Sequence, residues 1–490
     1  MLSILEAIQK VAQQHPHSIS YQTDSDSLTF GELWHLSDCV AQYLMALDLK
    51  RQQPIVVYGH MSPLQIVAFL GAVKAGHPYV PVDSSTPSER LQIIIEASQA
   101  CLVLKTETLS SNLHIPVVEV SDLVAQPTSL STEPSTWVKD QEIYYIIYTS
   151  GSTGKPKGVQ ITADNLAHFV AWMHEHFPLQ ESGVFLNQAP YSFDLSVMDL
   201  YPALVSGQTL YAIKQEQIAN PKALFESLAS SNVRVWTSTP SFAKICLMNK
   251  EWDQALMPSL DTFLFCGEVL PVSVATELMQ RFPQASIFNL YGPTETTVAV
   301  SYVEVTKELL EQFDQLPIAP LSEPNLSLLE DSEIIISGPT VSAGYLGAPD
   351  LTLKAFPTIG DQRIYKTGDV GYEKDGYLFF SGRKDFQVKL HGYRLEIEEI
   401  EKQMGNLPPV SSCVVIPVSK GDEIVSLSAY IVLREPLTDS AFKMTKQLKA
   451  LLSEYLPSYM IPKTFKYIDT LPLNTNGKVD RKGLAVMETV

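Results

Sequence analysis

YYIIYTSGSTGKPKG, residues 144–158, is the stretch on which the fold turns. The aromatic and β-branched run Tyr144 to Thr149 reads as a buried strand. It passes directly into Gly, Ser, Thr and Lys. Beyond them NLAHFVAWMHEHF (165–177) has the apolar spacing of an amphipathic helix. Glycines let backbone N–H groups crowd an anion, hydroxyls add donors, and Lys155 and Lys157 supply charge, which together suit a triphosphate. The spacing fits neither GxxxxGK[ST] nor GxGxxG. By residue chemistry alone the loop is an anion cradle of unassigned type, with an ordinary surface loop as the alternative.

Outward from this loop the pattern continues. PIVVYG (54–59) and CLVLK (101–105) are short buried strands by composition, and residues 2–14 and 64–74 read as helices, the latter packed by Ile66, Phe69, Leu70 and Val73. The first 380 residues therefore read as α/β with mostly parallel strands. Residues 107–140, rich in Ser, Thr and Pro, read as a surface connection. From about 386 the texture changes: a charged amphipathic helix (EIEEIEKQMGNL), two strands (SSCVVIPV, VSLSAYIVL) and a second helix (FKMTKQLKALLSEYL). That order suffices for a small α+β domain. The expected organisation is a large N-terminal domain over 1–384 and a smaller C-terminal domain over 385–490.

The 490 residues carry 35 Lys+Arg against 54 Asp+Glu, a net charge of −19, with 18% charged and 45% hydrophobic residues. This is the balance of a globular chain, and it argues against disorder and against a general affinity for nucleic acid or anionic lipid. Any anionic substrate must be captured by local groups. Five scattered cysteines without a CxxC pair suit a reducing cytoplasm. The first twenty residues lack a basic segment followed by an apolar run, so neither secretion nor membrane insertion is expected.

Five segments occur in order: YTSGSTGKPKG (148–158), NLYGPTE (289–295), YKTGDVG (365–371), GRKDFQVKLHGYRLE (382–396) and LPLNTNGKVDRKGL (471–484). Together they resemble the adenylate-forming superfamily of amino-acid adenylation domains, acyl-CoA synthetases and luciferases. SFDLSVMDLYPALVSG (192–207), FCGEVLP (265–271) and LHGYR (390–394) are similar to the D-alanine–D-alanyl carrier protein ligase family within it.

The resemblance implies an α/β N-terminal part with a mobile C-terminal lid, and the use of ATP and Mg²⁺. Thr149, Ser150, Gly151, Ser152, Thr153 and Lys157 would hold the β- and γ-phosphates. Asn289, Leu290, Tyr291, Gly292, Pro293 and Thr294 would line the nucleotide, with Tyr291 on adenine, Thr294 at the α-phosphate and Glu295 on Mg²⁺. Asp369 would accept the ribose hydroxyls, and Arg383 would add a second ribose and phosphate contact. Lys478 would bridge the substrate carboxylate and the α-phosphate. Asp194 would pair with the substrate ammonium, and Met198, Cys266 and Val298 would line a pocket sized for a methyl group. Lys384 and Asp385 would be the hinge, after whose rotation the loop at Gly392 would line the path of a phosphopantetheine thiol.

Each residue also has a plainer reading. Asp194 suits a helix cap, Asp369 a turn, Lys478 a solvated surface charge, and Cys266 a small buried hydrophobe. Asp199 is read as structural. His174-Glu175-His176 is not an HExxH metal pair, because its two histidines are only two apart and face different sides of a helix, and it is read as solvated surface. Ala319 and Ser332 stand where the family usually places glycine-containing turns, which puts local turn geometry in question.

The implied activity is formation of D-alanyl-AMP and transfer to a carrier protein acting in trans, for D-alanylation of teichoic acids. A stand-alone adenylation enzyme for another amino acid in nonribosomal peptide synthesis is the first alternative. A fold that binds nucleotide without turnover is the second.

Overall fold

A computed structural model describes residues 2–110, 113–126, 131–151, 155–179, 183–420, 423–437, 440–473 and 479–488. Ser152, Thr153 and Lys478 lie outside the described residues. The chain divides into two compact units, one of residues 1–84, 97–148 and 158–384, the other of residues 85–96, 149–157 and 385–490.

Helices of the larger unit begin where the sequence can cap them. Ser3 and Glu6 form a reciprocal capping box at Ile4–Gln14, and Thr29 with Glu32 does the same at Phe30–Ala46. Each such cap is worth about 1 kcal/mol. Ile4, Leu5, Ile8 and Ala12 then present one buried face. Ser62 precedes Pro63–Lys74, whose proline occupies the first turn, where a missing N–H is harmless.

Two sheets follow. In the first, Ser286–Tyr291, Thr262–Phe265, Val233–Ser238, Val184–Asn187, Thr209–Ala212 and Ile19–Gln22 run parallel in that spatial order. Antiparallel Ser301–Glu304 and Ser27–Thr29 close its edges. In the second, Ile143–Thr149, Tyr79–Val82, Ile55–Tyr58 and Leu102–Lys105 are successive neighbours. Ile55–Tyr58 is buried at every position, which is why it reads as an unbroken apolar run. The stretch expected as a plain connection over 107–140 contains a strand, Val117–Glu119, parallel to Leu102–Lys105, and a short helix, Val120–Val124. Three residues are too few to display a period of two.

Between 319 and 383 the sheet is antiparallel, against the expectation of mostly parallel strands up to 380. Gln362–Lys374 returns as Tyr377–Arg383 through Asp375-Gly376, both at positive φ (47° and 85°). That is the two-residue turn an Asp-Gly pair favours. It brings Asp369 opposite Arg383 in register.

The smaller unit packs Ile397–Gly405 and Ala441–Leu452 around the long hairpin of Val410–Lys420 with Glu423–Leu433, which Thr464–Tyr467 extends in parallel. Strands Gln387–Leu390 and Tyr393–Glu396 are joined by His391-Gly392, again both at positive φ. The helices and strands expected beyond 386 are all present.

Candidate active site

Strand Ser286–Tyr291 ends in Gly292-Pro293 and a single 3-10 turn, Thr294–Thr296. The chain then doubles back: Val300 N donates to Tyr291 O at 2.9 Å. A Cβ on Gly292 would lie 2.5 Å from Ala299 Cα and 2.7 Å from Val298 O, so only glycine fits beneath the returning strand. The return also holds Thr297 and Val298 at φ 59° and 73°. For a β-branched residue this conformation is strained by roughly 1–3 kcal/mol and persists only where the surroundings enforce it. Sequence reading gave no warning of that strain.

Val298 meets the end of the neighbouring strand. Its carbonyl lies 3.9 Å from Cys266 Sγ, and Cys266, Val298 and Met198 are all buried in one apolar cluster. Of the expected side-chain pocket residues, Cys266 and Val298 are thus neighbours, and Met198 is buried in the same large core. Met198 sits in Leu195–Ser206, where Pro202 withholds the donor that would have met the Met198 carbonyl.

Asp194 stands at the N-cap of that helix but makes no capping hydrogen bond, so the plain capping reading is not what the structure displays. Its carboxylate lies near enough to buried Tyr145 to be felt electrostatically. Burial pushes the Tyr145 hydroxyl well above its usual pKa, with Tyr79 and Asp194 adding to the effect. Asp199 is fully buried, and Asn187 Nδ2 donates to its Oδ1 at 3.1 Å. Burial raises its pKa well above the carboxylate range. Tyr191 donates to Asn187 Oδ1 at 2.8 Å, tying the segment that leads to Asp194 back to its strand. Asp199 is therefore structural, as read.

Glu295 is fully buried, its Oε1 accepting from the Tyr345 hydroxyl at 2.8 Å and its carbonyl accepting from Ser342 N at 2.9 Å. Among the described residues no group of three or more His, Cys, Asp or Glu side chains could hold a metal. A single carboxylate still fits Mg²⁺, which commonly takes one or two carboxylates and fills its shell with phosphate oxygens and water.

Asp369 is nearly buried between two donors. The Tyr291 hydroxyl donates to Oδ2 at 2.7 Å, and Arg383 Nη1 donates to Oδ1. Arg383 Nη2 also donates to Thr367 O at 3.1 Å, and Thr367 Oγ1 accepts from Asp369 N at 2.9 Å. Burial, then the Asp369 carboxylate, holds the Tyr291 hydroxyl well above its usual pKa, so it stays a donor. Asn289 Nδ2 donates to Pro317 O at 2.8 Å, fixing the strand that delivers Tyr291. Lys384 is anchored by Asp331 at 2.5 Å and Glu333 at 3.0 Å.

The smaller unit contains the loop at 149–157. A Cβ at Gly151 would sit 2.0 Å from Lys155 O, so only glycine fits at this position. Gly151 N donates to Glu399 Oε2 at 3.2 Å, and Arg90 Nη1 holds Oε1 of the same carboxylate at 2.5 Å. Ser150 Oγ donates to Arg394 O at 2.9 Å and accepts from Glu396 N at 3.1 Å, and Lys157 Nζ lies 3.7 Å from Glu396 Oε1. Thr149 Oγ1 is buried without a hydrogen-bond partner among the described residues. The loop thus already holds an anion, the Glu399 carboxylate. Glu399 lies in the run EIEEIE, which reads as part of a charged amphipathic helix with nothing to single it out, although Glu399 is 1% exposed.

One surface reading is corrected. His174 is partly buried, with burial lowering its pKa, because Ala163–His176 packs that side against the helix carrying Pro202; Glu175 and His176 remain exposed.

Comparison with known proteins matches this arrangement to a class. Residues 8–346 match the AMP-binding enzyme family and residues 399–478 match the AMP-binding enzyme C-terminal domain. The chain belongs to the AMP-binding enzyme family. Its relatives include a D-alanine–D-alanyl carrier protein ligase of Bacillus licheniformis, 47% identical over 504 positions and covering 100% of both chains. One of Bacillus anthracis is 47% identical over 497 positions, with 99% of each chain covered. The adenylation domain AlmE of Vibrio cholerae, solved with glycyl-adenosine-5′-phosphate, superposes with a TM-score of 0.83 at 24% identity, covering 99% of this chain and 98% of that one. The o-succinylbenzoate CoA synthetase of Bacillus subtilis gives 0.84 at 20% identity, with 98% of each covered. At those identities the two structures establish the shared fold. Among the described residues no helix is long and apolar enough to cross a membrane.

Proposed function

We propose that this enzyme joins D-alanine and ATP to give D-alanyl-AMP and pyrophosphate, then passes the alanyl group to the phosphopantetheine thiol of a carrier protein in the cytoplasm, for D-alanylation of teichoic acids. The observation that carries this reading is agreement along the whole chain with relatives named for that reaction. Met198, Cys266 and Val298, all buried and with Cys266 Sγ 3.9 Å from Val298 O, would line the pocket for the substrate's methyl group.

In the first step a substrate carboxylate oxygen attacks the α-phosphorus and pyrophosphate leaves. An anion is approaching an anion, so positioned cations and in-line geometry supply most of the catalysis. Asp194 would hold the substrate ammonium. Asp369 and Arg383 would fix the ribose, Tyr291 would stack on adenine, and Thr294 would contact the α-phosphate. Thr149, Ser150, Gly151, Ser152, Thr153 and Lys157 would take the outer phosphates, and Lys478 would bridge the two reacting anions. Mg²⁺, held through Glu295, would neutralise charge on the leaving pyrophosphate. In the second step the carrier's thiol sulfur attacks the alanyl carbonyl, its proton is lost, and AMP leaves. Residues Lys384 and Asp385 would serve as the hinge between the steps.

ATP–pyrophosphate exchange with D-alanine, L-alanine, glycine, D-serine and larger amino acids tests the reading. D-alanine is expected to give the fastest exchange. Preference for an L- or larger amino acid would keep the mechanism and overturn the substrate, moving the enzyme to peptide assembly.

A further inference from the structure

The carboxylate of Asp369 is gripped from two sides by groups on different strands. Tyr291, the last residue of Ser286–Tyr291, reaches Oδ2 through its hydroxyl at 2.7 Å, and Arg383 reaches Oδ1 from the partner position of the hairpin. The backbone is pinned as well: Thr367 Oγ1 accepts from Asp369 N at 2.9 Å while donating to Ile334 O at 2.6 Å. A carboxylate offers about four lone-pair positions, so one donor on each oxygen leaves each with capacity to accept again. Two fixed donors also settle the rotation of the carboxylate plane, and with it the direction of the remaining lone pairs.

We infer that the Tyr291 hydroxyl is a positioning group for ribose recognition: with Arg383 it orients Asp369 so that each carboxylate oxygen accepts one of the two ribose hydroxyls. Tyr291 thereby serves the nucleotide twice, its ring at the base and its hydroxyl at the sugar through Asp369. The inference rests on the reading of Asp369 as the ribose acceptor. A vicinal diol is recognised by a carboxylate only when both oxygens are presented in its plane, so loss of one grip blurs recognition on that side. Preorganisation of this kind is expressed in selectivity between nucleotides that differ by one hydroxyl.

The test is exchange with ATP, 2′-deoxy-ATP and 3′-deoxy-ATP, using the wild-type enzyme and Tyr291→Phe, which keeps the ring and removes only the hydroxyl. Wild type should prefer ATP over each deoxynucleotide by about tenfold or more, the worth of one hydrogen bond to a charged group. In Tyr291→Phe the preference over one of the two should fall to within about threefold, with the KM for D-alanine unchanged. Asp369→Asn should erode both preferences, and adding Tyr291→Phe to it should change neither further. If Tyr291→Phe slows all three nucleotides equally, the hydroxyl is merely structural and the inference is overturned. Unchanged preferences in Tyr291→Phe overturn it as well. A wild-type enzyme that exchanges briskly yet ignores the missing hydroxyls would overturn the ribose reading of Asp369 itself. Absence of exchange with any amino acid would instead overturn the proposed function.

Discussion

Lys74–Asp38 and Arg383–Asp369 are both cation–carboxylate pairs with a buried carboxylate in the larger unit, yet they are finished differently. Lys74, at the end of Pro63–Lys74, is fully buried and spends its three protons on Trp34 O at 2.8 Å, Ser37 Oγ at 2.8 Å and Asp38 Oδ1 at 3.0 Å. Thr132 Oγ1 adds a further donor to Asp38 Oδ1 at 2.9 Å, and the ammonium lies 3.3 Å from the centre of the Trp34 ring. That ammonium is saturated by protein. Among the described residues Asp369 takes a single side-chain donor on each oxygen and retains acceptor capacity. On the proposed reading of Asp369 as the ribose acceptor, the difference separates a pair that holds helices together from one that would accept a ligand.

Breaking each pair should therefore damage different properties. Lys74→Met leaves Asp38 buried without its cation, and such a change should lower unfolding free energy by about 3–5 kcal/mol. Exchange per folded molecule should stay near wild type. Asp369→Asn keeps an oxygen and the shape of the side chain but takes the anion from Arg383, which is only partly buried and keeps its bond to Thr367 O, so the loss of stability should be smaller than that of Lys74→Met. If Asp369 is the ribose acceptor as proposed, exchange should fall about 100-fold, because two charge-assisted contacts to the ribose would be weakened. Denaturant titrations beside exchange rates decide the matter; an inactive but stable Lys74→Met would erase the distinction between the two pairs.

The same contrast has a pH signature. Burial lowers the Lys74 pKa from 10.5 to about 7, against the opposing pull of Asp38. Between those values the unfolded chain binds the extra proton, so this group makes stability rise as pH rises through the window. The effect is withdrawn as pH falls towards 7. The slope is at most about 1.4 kcal/mol per pH unit. Unfolding measured from pH 7 to 9 should show wild type gaining on Lys74→Met, and parallel curves would refute the assignment.

What the sequence disclosed follows the same division. The adenylate-forming fold and the glycine-bearing turns were legible, because Gly151 and Gly292 answer local backbone demands that no other residue meets. The Asp375-Gly376 pair was an equally local signal for the antiparallel hairpin and went unread beside the α/β pattern around it. Partners far apart in the chain were not legible. Nothing near Tyr291 in sequence points to Asp369, 78 residues on, and nothing in EIEEIE marks Glu396 and Glu399 as buried while Glu398 and Glu401 are only partly so. Spacing reports what a segment needs of itself, whereas these contacts exist only after the sheets have met.

Ser332 offers the mildest test of how far local demands govern the ground beneath Asp369. It stands where a glycine turn is usual, and the structure holds it in the left-handed region at φ 63°. The turn survives because Ser332 N donates to Leu329 O at 2.9 Å and Ser332 O accepts from Gly371 N at 2.9 Å. Gly371 lies two residues beyond Asp369, so this turn braces the strand that presents the carboxylate. By contrast Ala319, the other departure, sits buried in an ordinary strand pairing with Leu378 and asks nothing unusual of its backbone. Ser332→Gly removes the steric penalty of a Cβ at positive φ but loosens the unfolded chain, two effects of about 1 kcal/mol and opposite sign. The net change in unfolding free energy should be below about 1 kcal/mol, with exchange and the preference for ATP over its deoxy analogues both retained. A Ser332→Gly variant that kept its stability yet lost that preference would mean that Asp369 is aimed from below by the turn, rather than from its sides by Tyr291 and Arg383.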